Sequence, residues 1–232
     1  MGKRHVFGRG LWGLGLLLMI MNLYMIFIYA PTEKTMGIVQ RIFYLMVPMA
    51  WLALLSFVII FIASILYLKT KAGKWDVLAR SSSEIGIIFT TLTLVAGSLW
   101  AKPVWGVWWT WEPRLTATLV LWLIYFAHLA IRSLAVDESR GATFAAVVGI
   151  VGFIDIPIIG MSTTLWRGIH PGLIIFSGGL ESSMLLTLVF SFVSFTVLYS
   201  LILAQTVSIK NSENEIKMLK NLAMEDIPQG DR

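Results

Sequence analysis

Residues 105–116 read Trp-Gly-Val-Trp-Trp-Thr-Trp-Glu-Pro-Arg-Leu-Thr, and they lie between two long apolar runs of the chain. Four of these residues are tryptophans, and an acid, a proline and an arginine follow them. An aqueous loop rarely carries so much aromatic area unless that area covers a flat apolar surface. The stretch therefore predicts a link between two membrane helices that carries a binding surface at the edge of the bilayer.

The composition places the whole chain in a membrane. Hydrophobic residues make up 57% of the 232 residues and charged residues only 13%, whereas soluble domains average about 45–50% and about 25%. A helix needs about 20 apolar residues to cross a bilayer, and six segments qualify. The fifth is the weakest, because glycines, an aspartate and a proline interrupt it. The predicted spans are 11–30, 46–68, 85–101, 115–131, 143–161 and 183–206.

Most of the 18 Lys and Arg residues fall in the segments that share one side of the membrane with the N-terminus. The positive-inside rule then puts both termini in the cytoplasm and the tryptophan loop outside. We predict an all-α integral membrane fold of six transmembrane helices. Residues 1–209 form the membrane domain, and residues 210–232 form a cytoplasmic tail that is a solvated helix or disordered. The net charge of +5 arises from this asymmetry and requires no nucleic-acid partner.

The chain contains no cysteine. This excludes disulfides, thiolate metal sites and the C-x-x-C-H attachment of a c-type haem. Any haem must therefore be held without covalent bonds, through His, Met or Tyr and through packing. No glycine-rich phosphate loop occurs in the sequence, so the chain does not itself power transport.

Two explanations of the tryptophans remain open at this point. Trp and Tyr form belts at membrane interfaces, so the rings could simply anchor the loop. A belt, however, spreads its aromatic residues over many helix ends, whereas these rings lie on one loop with Trp100 just before it. Large apolar rings also stack on a planar macrocycle. We therefore predict a haem-binding surface made of Trp105, Trp108, Trp109 and Trp111.

The residues after the tryptophans begin the fourth span. Proline at the first helical position, with Glu112 just before it, is an ordinary helix start. Arg114 would face the water boundary beside the aromatic surface, where its guanidinium could pair with a carboxylate such as a haem propionate. Lys102 and Arg167 are further candidates for this role. For each of the three cations, a plain interfacial anchor is the alternative.

His170 is the candidate ligand of the haem iron. It lies in the outer loop before the sixth span, on the same side as the tryptophans, and imidazole is a common protein ligand of haem iron. His5 and His128 fall near the opposite side of the membrane. No other histidine lies outside, so a second axial ligand would come from Met46 or Tyr44 at the entrance to span two, unless Met46 merely packs.

These residues resemble a known group of proteins. Residues 105–116 are similar to the tryptophan-rich signature of the haem-handling proteins of cytochrome c biogenesis. The length and the six spans are similar to cytochrome c maturation protein C, the haem exporter C family. The resemblance is strongest at 41–48, 105–116 and 154–171.

The resemblance implies a function and a set of partners. A member of this family holds haem b transiently on the outer face of the bacterial inner membrane and passes it to a haem chaperone. It works with the subunits of an ATP-binding cassette transporter and a small single-span membrane protein, and it is not itself an enzyme. The alternatives are an exporter subunit without its own haem site, and a cytochrome c haem lyase or synthase component.

The sequence departs from the family pattern at two positions. Glu112 stands where the family usually has Asp, which is a conservative change. Met46 stands where the family has the axial histidine of the first outer loop, before Val-Pro. The resemblance therefore implies His170 as one iron ligand, with Met46 as the possible second ligand. The alternatives are iron held on one side only and a second ligand supplied by a partner.

Overall fold

The computed structural model describes residues 2–165 and 180–225, with side chains described for 10–162 and 180–224. The fold is helical throughout this part, as predicted, and six helical segments are long and apolar enough to cross a membrane. Each of them overlaps one of the six predicted spans, and the third begins at Gly73, before the predicted start at residue 85. The helices are α1 (Gly2–Tyr24), α2 (Gln40–Thr70), α3 (Gly73–Trp105), α4 (Pro113–Leu134), α5 (Glu138–Val151), α6 (Asp155–Leu165) and α7 (Ser182–Glu225).

The weakness of the fifth span has a structural counterpart. α5 ends at Val151, the chain tightens into a 3-10 turn over Gly152–Ile154, and α6 then continues across the membrane. Gly152 allows the close packing there, because a Cβ at this position would lie 2.6 Å from a methyl carbon of Ile124. A similar irregularity, a π-helical turn over Met25–Tyr29, ends the first span.

α2 lies at the centre of the bundle and packs against α3, α5 and α7, while α4 packs against α3, α5 and α6. α1 packs mainly against α7. α3 and α4 pack closely at Gly86, where a Cβ would lie 2.4 Å from the ring of Tyr125. Tyr125 is fully buried, and its hydroxyl donates a hydrogen bond to the Ala53 carbonyl. Glycine at position 86 thus lets three helices meet around one ring.

A buried polar cluster joins α2, α3 and α7 in the same bundle. The Tyr199 hydroxyl lies 2.9 Å from the Ser82 Oγ and 3.2 Å from the Ser56 Oγ. The Ser82 hydroxyl also donates to the Ser56 carbonyl at 3.0 Å. Polar residues can lie inside a membrane bundle when neighbouring helices satisfy them.

The bundle has two ends, the tryptophan end and the basic end. The tryptophan end contains the link between α1 and α2, the link 106–112 between α3 and α4, and the start of α7. The basic end contains the links 71–72 and 135–137 and the part of α7 after residue 206.

Candidate functional site

The link 106–112 is short because both flanking helices end sharply. α3 ends at Trp105, and the next residue, Gly106, has a φ of 77° in the left-handed region that glycine adopts without strain. Its N–H donates to the Lys102 carbonyl at 3.0 Å. The Lys102 ammonium in turn donates to the Gly106 carbonyl at 3.0 Å and lies 5.9 Å from the centre of the Trp108 ring. Lys102 therefore closes the end of α3, and it also faces an aromatic ring.

α4 starts as predicted, with Pro113 in the first turn. Glu112 has an extended backbone, and its carbonyl accepts the Thr116 N–H at 3.0 Å. Its side chain is buried and makes no cap hydrogen bond to the helix. The Glu112 carboxylate lies within electrostatic reach of Arg114. The acid and the arginine are therefore close enough to interact electrostatically at the start of α4.

The tryptophans meet in two perpendicular pairs. The rings of Trp100 and Trp105 lie 5.1 Å apart at 86°, and those of Trp109 and Trp111 lie 5.7 Å apart at 80°. Trp100 is buried, whereas Trp108 is 55% exposed and Trp111 is 75% exposed. The link thus begins beside the buried Trp100 and carries two exposed rings. The exposed rings of Trp108 and Trp111 are called the aromatic rim.

Several buried polar atoms around this rim have no hydrogen-bond partner among the described residues. They include the Nε1 of Trp109, the Oγ1 of Thr110 and the Nε of Arg114. Buried polar groups in proteins are normally hydrogen-bonded to protein or water. Two further atoms of this kind lie in the first turns of α2: the Nε of Arg41 and the hydroxyl of Tyr44. Other buried polar atoms without such a partner lie elsewhere in the bundle, among them the Oγ of Ser81 and the Nδ1 of His128. Those of Trp109, Thr110 and Arg114 are candidates for ligand contacts because these residues lie in or beside the tryptophan link.

Arg41 is a candidate that the sequence analysis did not single out. Its position in the first turn of α2, on the predicted outer side, was the available signal. That signal was weak because a basic residue at a helix end usually serves as an interfacial anchor.

Met46 lies in the second turn of α2 and faces α3. A Cβ at Gly97 would lie 3.6 Å from the Met46 sulfur, so the absent side chain of Gly97 leaves room beside the thioether. Met46 is half-buried. Tyr44, the other candidate, is fully buried in a cluster with Ile26 and Leu188. Of the two side chains, only that of Met46 is partly exposed.

The link between α1 and α2 carries its own local structure. The backbone N–H groups of Met36 and Thr35 donate to the carboxylate of Glu33, and they hold the pKa of that carboxyl below its usual value. The turn closes with the Gly37 N–H donating to the Glu33 carbonyl at 3.0 Å. The ionised carboxylate stabilises this turn at neutral pH, and its contribution is lost as the pH falls through the lowered pKa.

His170 and Arg167 lie outside the described residues. The assignment of an iron ligand at position 170 thus stays a prediction, as does the role of Arg167. The described segments flanking that region, α6 and α7, end and begin at the tryptophan end.

Comparison with known proteins gives a consistent result. Residues 5–221 match the model of the family described as heme exporter protein C. The chain is 38% identical to heme exporter protein C of Bradyrhizobium diazoefficiens over 173 residues, which is 73% of this chain and 66% of that protein. It is 29% identical to heme exporter protein C of Escherichia coli K12 over 192 residues, 83% of this chain and 76% of that protein.

A mitochondrial protein of Marchantia polymorpha is 35% identical over 177 residues, 75% of each chain, and its name refers to cytochrome c biosynthesis.

Proposed function

Because the chain belongs to the heme exporter protein C family, we propose that it binds haem at the tryptophan end and passes it to a haem chaperone. Membership supports haem handling for cytochrome c maturation, in a multi-pass membrane protein and in transport or delivery rather than catalysis. In this proposal the tryptophan end faces the extracytoplasmic side and the basic end faces the cytoplasm, as the distribution of Lys and Arg favours.

The observation that carries the proposal is the exposed aromatic rim beside buried donors without partners. Trp108 and Trp111 offer apolar ring surface next to the water boundary. Each ring that a flat ligand covers would contribute about 2 kcal/mol from burial of apolar area. A ligand that is both planar and anionic fits the two features together.

The polar groups of the site have separate tasks in this proposal. Arg114 donates to a propionate, which supplies the hydrogen-bond acceptor that its Nε lacks within the described chain. Glu112 orients Arg114 from below, because the two side chains are within electrostatic reach. His170 binds the iron, and Met46 is the candidate for the opposite face. Thioether sulfur is an established ligand of haem iron. Exchange of the weaker of these ligands would allow the haem to leave.

The partners in this proposal follow from the same membership. The chain works with the subunits of an ATP-binding cassette transporter and a small single-span membrane protein, and it holds haem b without a covalent bond. Residues 1–209 form the part that handles haem, and residues 210–232 form a separate segment at the basic end.

The test is the absorption spectrum of the purified protein after expression with haem supply. Wild type should show a Soret band, and Trp108→Ala combined with Trp111→Ala should remove most of it. Trp12→Ala is the matched control, because Trp12 is also exposed (41%) but lies near the basic end of α1. Equal loss in both proteins, or no Soret band in wild type, would contradict the proposal.

A second comparison addresses the iron and the rival functions. His170→Ala should weaken and shift the Soret band, whereas His5→Ala at the basic end should not. Wild type without a Soret band would favour an exporter subunit that has no haem site. Formation of a holocytochrome by this chain alone, without other maturation proteins, would favour a synthase.

A further inference from the structure

A groove lies between α4 and α5 on the surface of the bundle, near the basic end. It has a volume of about 670 Å³, and most of the side chains that line it are apolar. Along α4 it runs from Phe126 to Leu134, a distance of about 12 Å. Both helices belong to segments that are long and apolar enough to cross a membrane. This feature is called the α4–α5 groove.

The groove is open to the surroundings of the bundle. Phe126 on α4 and Phe144 on α5 stand at its two sides, and both rings are exposed. The smaller side chains of Ala127 and Ala130 lie between them, which leaves a depression instead of a flat surface. Because the surroundings of a membrane helix are acyl chains, the apolar part of the groove is exposed to lipid.

The end of the groove near the α4–α5 link carries a cation. Arg140 lines it, with a side chain that is 83% exposed. The Arg140 Nε lies 3.6 Å from Asp137, whose carboxylate also accepts the N–H groups of Ser139 and Arg140 as the cap of α5. A pair this exposed contributes little, so the guanidinium retains donors for a ligand. Glu138, the other acid at the start of α5, pairs with Lys217.

A second cation reaches the same turn of α5 from the link between α2 and α3. The Lys71 ammonium donates to the Thr143 Oγ1 at 3.2 Å. Thr143 follows Arg140 by three residues, and residues at this spacing are neighbours on a helix surface. Lys69 and Lys74 are exposed on either side of the link. The three lysines take part in none of the ion pairs found among the described residues, so this end of the groove is positively charged.

We propose that the α4–α5 groove binds one phospholipid with an anionic headgroup. One acyl chain lies between Phe126 and Phe144, and the headgroup phosphate meets Arg140 and Lys71. A guanidinium matches phosphate oxygens with paired donors, and an ammonium adds a compact charge. The lipid belongs to the leaflet at the basic end, whichever way the chain is inserted.

The distribution of polarity favours a lipid over a helix of a partner protein. The groove is apolar along its length and cationic at one end, which matches a molecule with an apolar tail and a negative head. The cationic end also lies at headgroup depth, because the apolar span of α4 ends at Leu134. Two aromatic rings support this depth, since Tyr67 and Trp75 lie 5.3 and 5.0 Å from lysine ammonium groups, and such rings are typical of the membrane interface.

A lipid in this position would connect two parts of the bundle. Arg140 belongs to α5, whereas Lys71 belongs to the link between α2 and α3. A ligand that binds only the folded protein stabilises it by mass action. We therefore expect an anionic lipid to raise the unfolding midpoint of the protein in detergent.

Native mass spectrometry of the delipidated full-length protein tests the headgroup. Wild type should bind one phosphatidylglycerol, and it should bind phosphatidylcholine with the same chains more weakly. Arg140→Gln combined with Lys71→Gln should weaken phosphatidylglycerol binding about thirtyfold, the equivalent of about 1 kcal/mol for each cation. Arg80→Gln combined with Lys220→Gln is the matched control, because it removes the same charges from exposed positions outside the groove. Equal affinity for the two lipids, or equal losses in the two double variants, would overturn the proposal.

Filling the groove tests the acyl chain without changing any charge. Ala130→Trp should abolish both the binding of phosphatidylglycerol and the rise in unfolding midpoint that this lipid causes. Leu123→Trp, an exposed position on α4 outside the groove, should preserve both. If Ala130→Trp binds the lipid as tightly as wild type does, the groove is not the site.

Photo-cross-linking in native membranes distinguishes a lipid from a protein partner. Ala130→Cys gives the chain a single cysteine, to which a thiol-reactive benzophenone can be attached. Irradiation should add the mass of a phospholipid to the protein. An adduct with another protein would show that a partner helix occupies the groove, and it would overturn the proposal.

Discussion

The two ends of this bundle treat their charged and polar side chains in opposite ways. At the basic end, Arg132 binds Asp76 through three hydrogen bonds of 2.7–3.2 Å, and the side chains are only 13% and 15% exposed. At the tryptophan end, Arg114 keeps a buried Nε without a partner among the described residues, three residues after the exposed Trp111. The Arg132–Asp76 pair is therefore a closed structural joint, whereas the Arg114 Nε is available to a ligand. The difference lies in these two arginines, since buried polar atoms near the basic end, such as the Nδ1 of His128, also lack a partner among the described residues.

The energetic meaning of this difference is clear. A buried donor without an acceptor costs about 1–3 kcal/mol, and more when the donor is charged. An unpaired buried donor persists where another interaction, such as ligand binding, offsets this free-energy cost, as is common at binding sites. The comparison thus predicts that substitutions at the basic end lower stability and leave haem binding intact. Substitutions at the tryptophan end should weaken haem binding without lowering stability.

Asp76→Asn should have the largest effect on stability. It leaves Arg132 largely buried without a counter-charge, and breaking a buried pair costs about 3 kcal/mol or more. We expect a lower unfolding midpoint of the haem-free protein in detergent and an unchanged haem content per folded molecule. Glu213→Gln, an exposed change on α7 after residue 206, should leave the midpoint where it is. A midpoint unaffected by Asp76→Asn would mean that the joint contributes no stability.

Arg114→Gln should have the largest effect on binding. It removes a charge-assisted hydrogen bond worth about 1.5–3 kcal/mol, so haem affinity should fall about tenfold or more in a titration followed by absorbance. The unfolding midpoint of the haem-free protein should stay or rise, since a buried unpaired charge is lost. Arg80→Gln is the matched control at the basic end. Equal losses for both arginines would remove the contrast between the two ends.

Met46→His should strengthen rather than weaken binding. An imidazole at this position would give the iron a second strong ligand, so we expect slower haem release and a shifted Soret band. Met49→His, one helical turn further along α2 in the cluster with Leu52 and Phe195, is the control and should leave the spectrum unchanged. An unaltered spectrum for Met46→His would show that position 46 does not face the iron.

Lys217→Gln should have the smallest effect. Its pair with Glu138 is exposed on both sides, and exposed pairs contribute less than about 1 kcal/mol and weaken with salt. The unfolding midpoint should fall slightly at low ionic strength and match wild type at high ionic strength. A large, salt-independent loss would mean that the pair is more strongly desolvated than its exposure indicates.

Hydropathy was sufficient to predict the six spans, because each depends on a local run of apolar residues. It placed the start of the third span at Ile85, whereas the helix begins at Gly73. The turns of α3 that hydropathy did not predict contain Ser81, Ser82 and Ser83, which are buried in the bundle. Their burial depends on partners such as Tyr199, 117 positions away from Ser82, and no local pattern reveals such a partner.

The candidate site divides in the same way. The clustering of the tryptophans and the proline at the start of α4 are local, and both could be read from the sequence. The perpendicular arrangement of the rings, the room beside Met46 at Gly97 and the unpaired Nε of Arg41 depend on how separate helices pack. The tail after residue 209, for which a solvated helix or disorder was expected, continues α7 as helix to Glu225.

The right-angle meeting of Trp109 and Trp111 has a geometric consequence for any flat molecule bound there. A disc lying against one ring of such a corner touches the other ring only along its rim, so the pair cannot enclose it from above and below. The two rings alone leave one face of the disc uncovered, and in the proposed function an axial ligand or another protein approaches from that face. A carrier with this shape could release its cargo sideways, without first parting two of its helices.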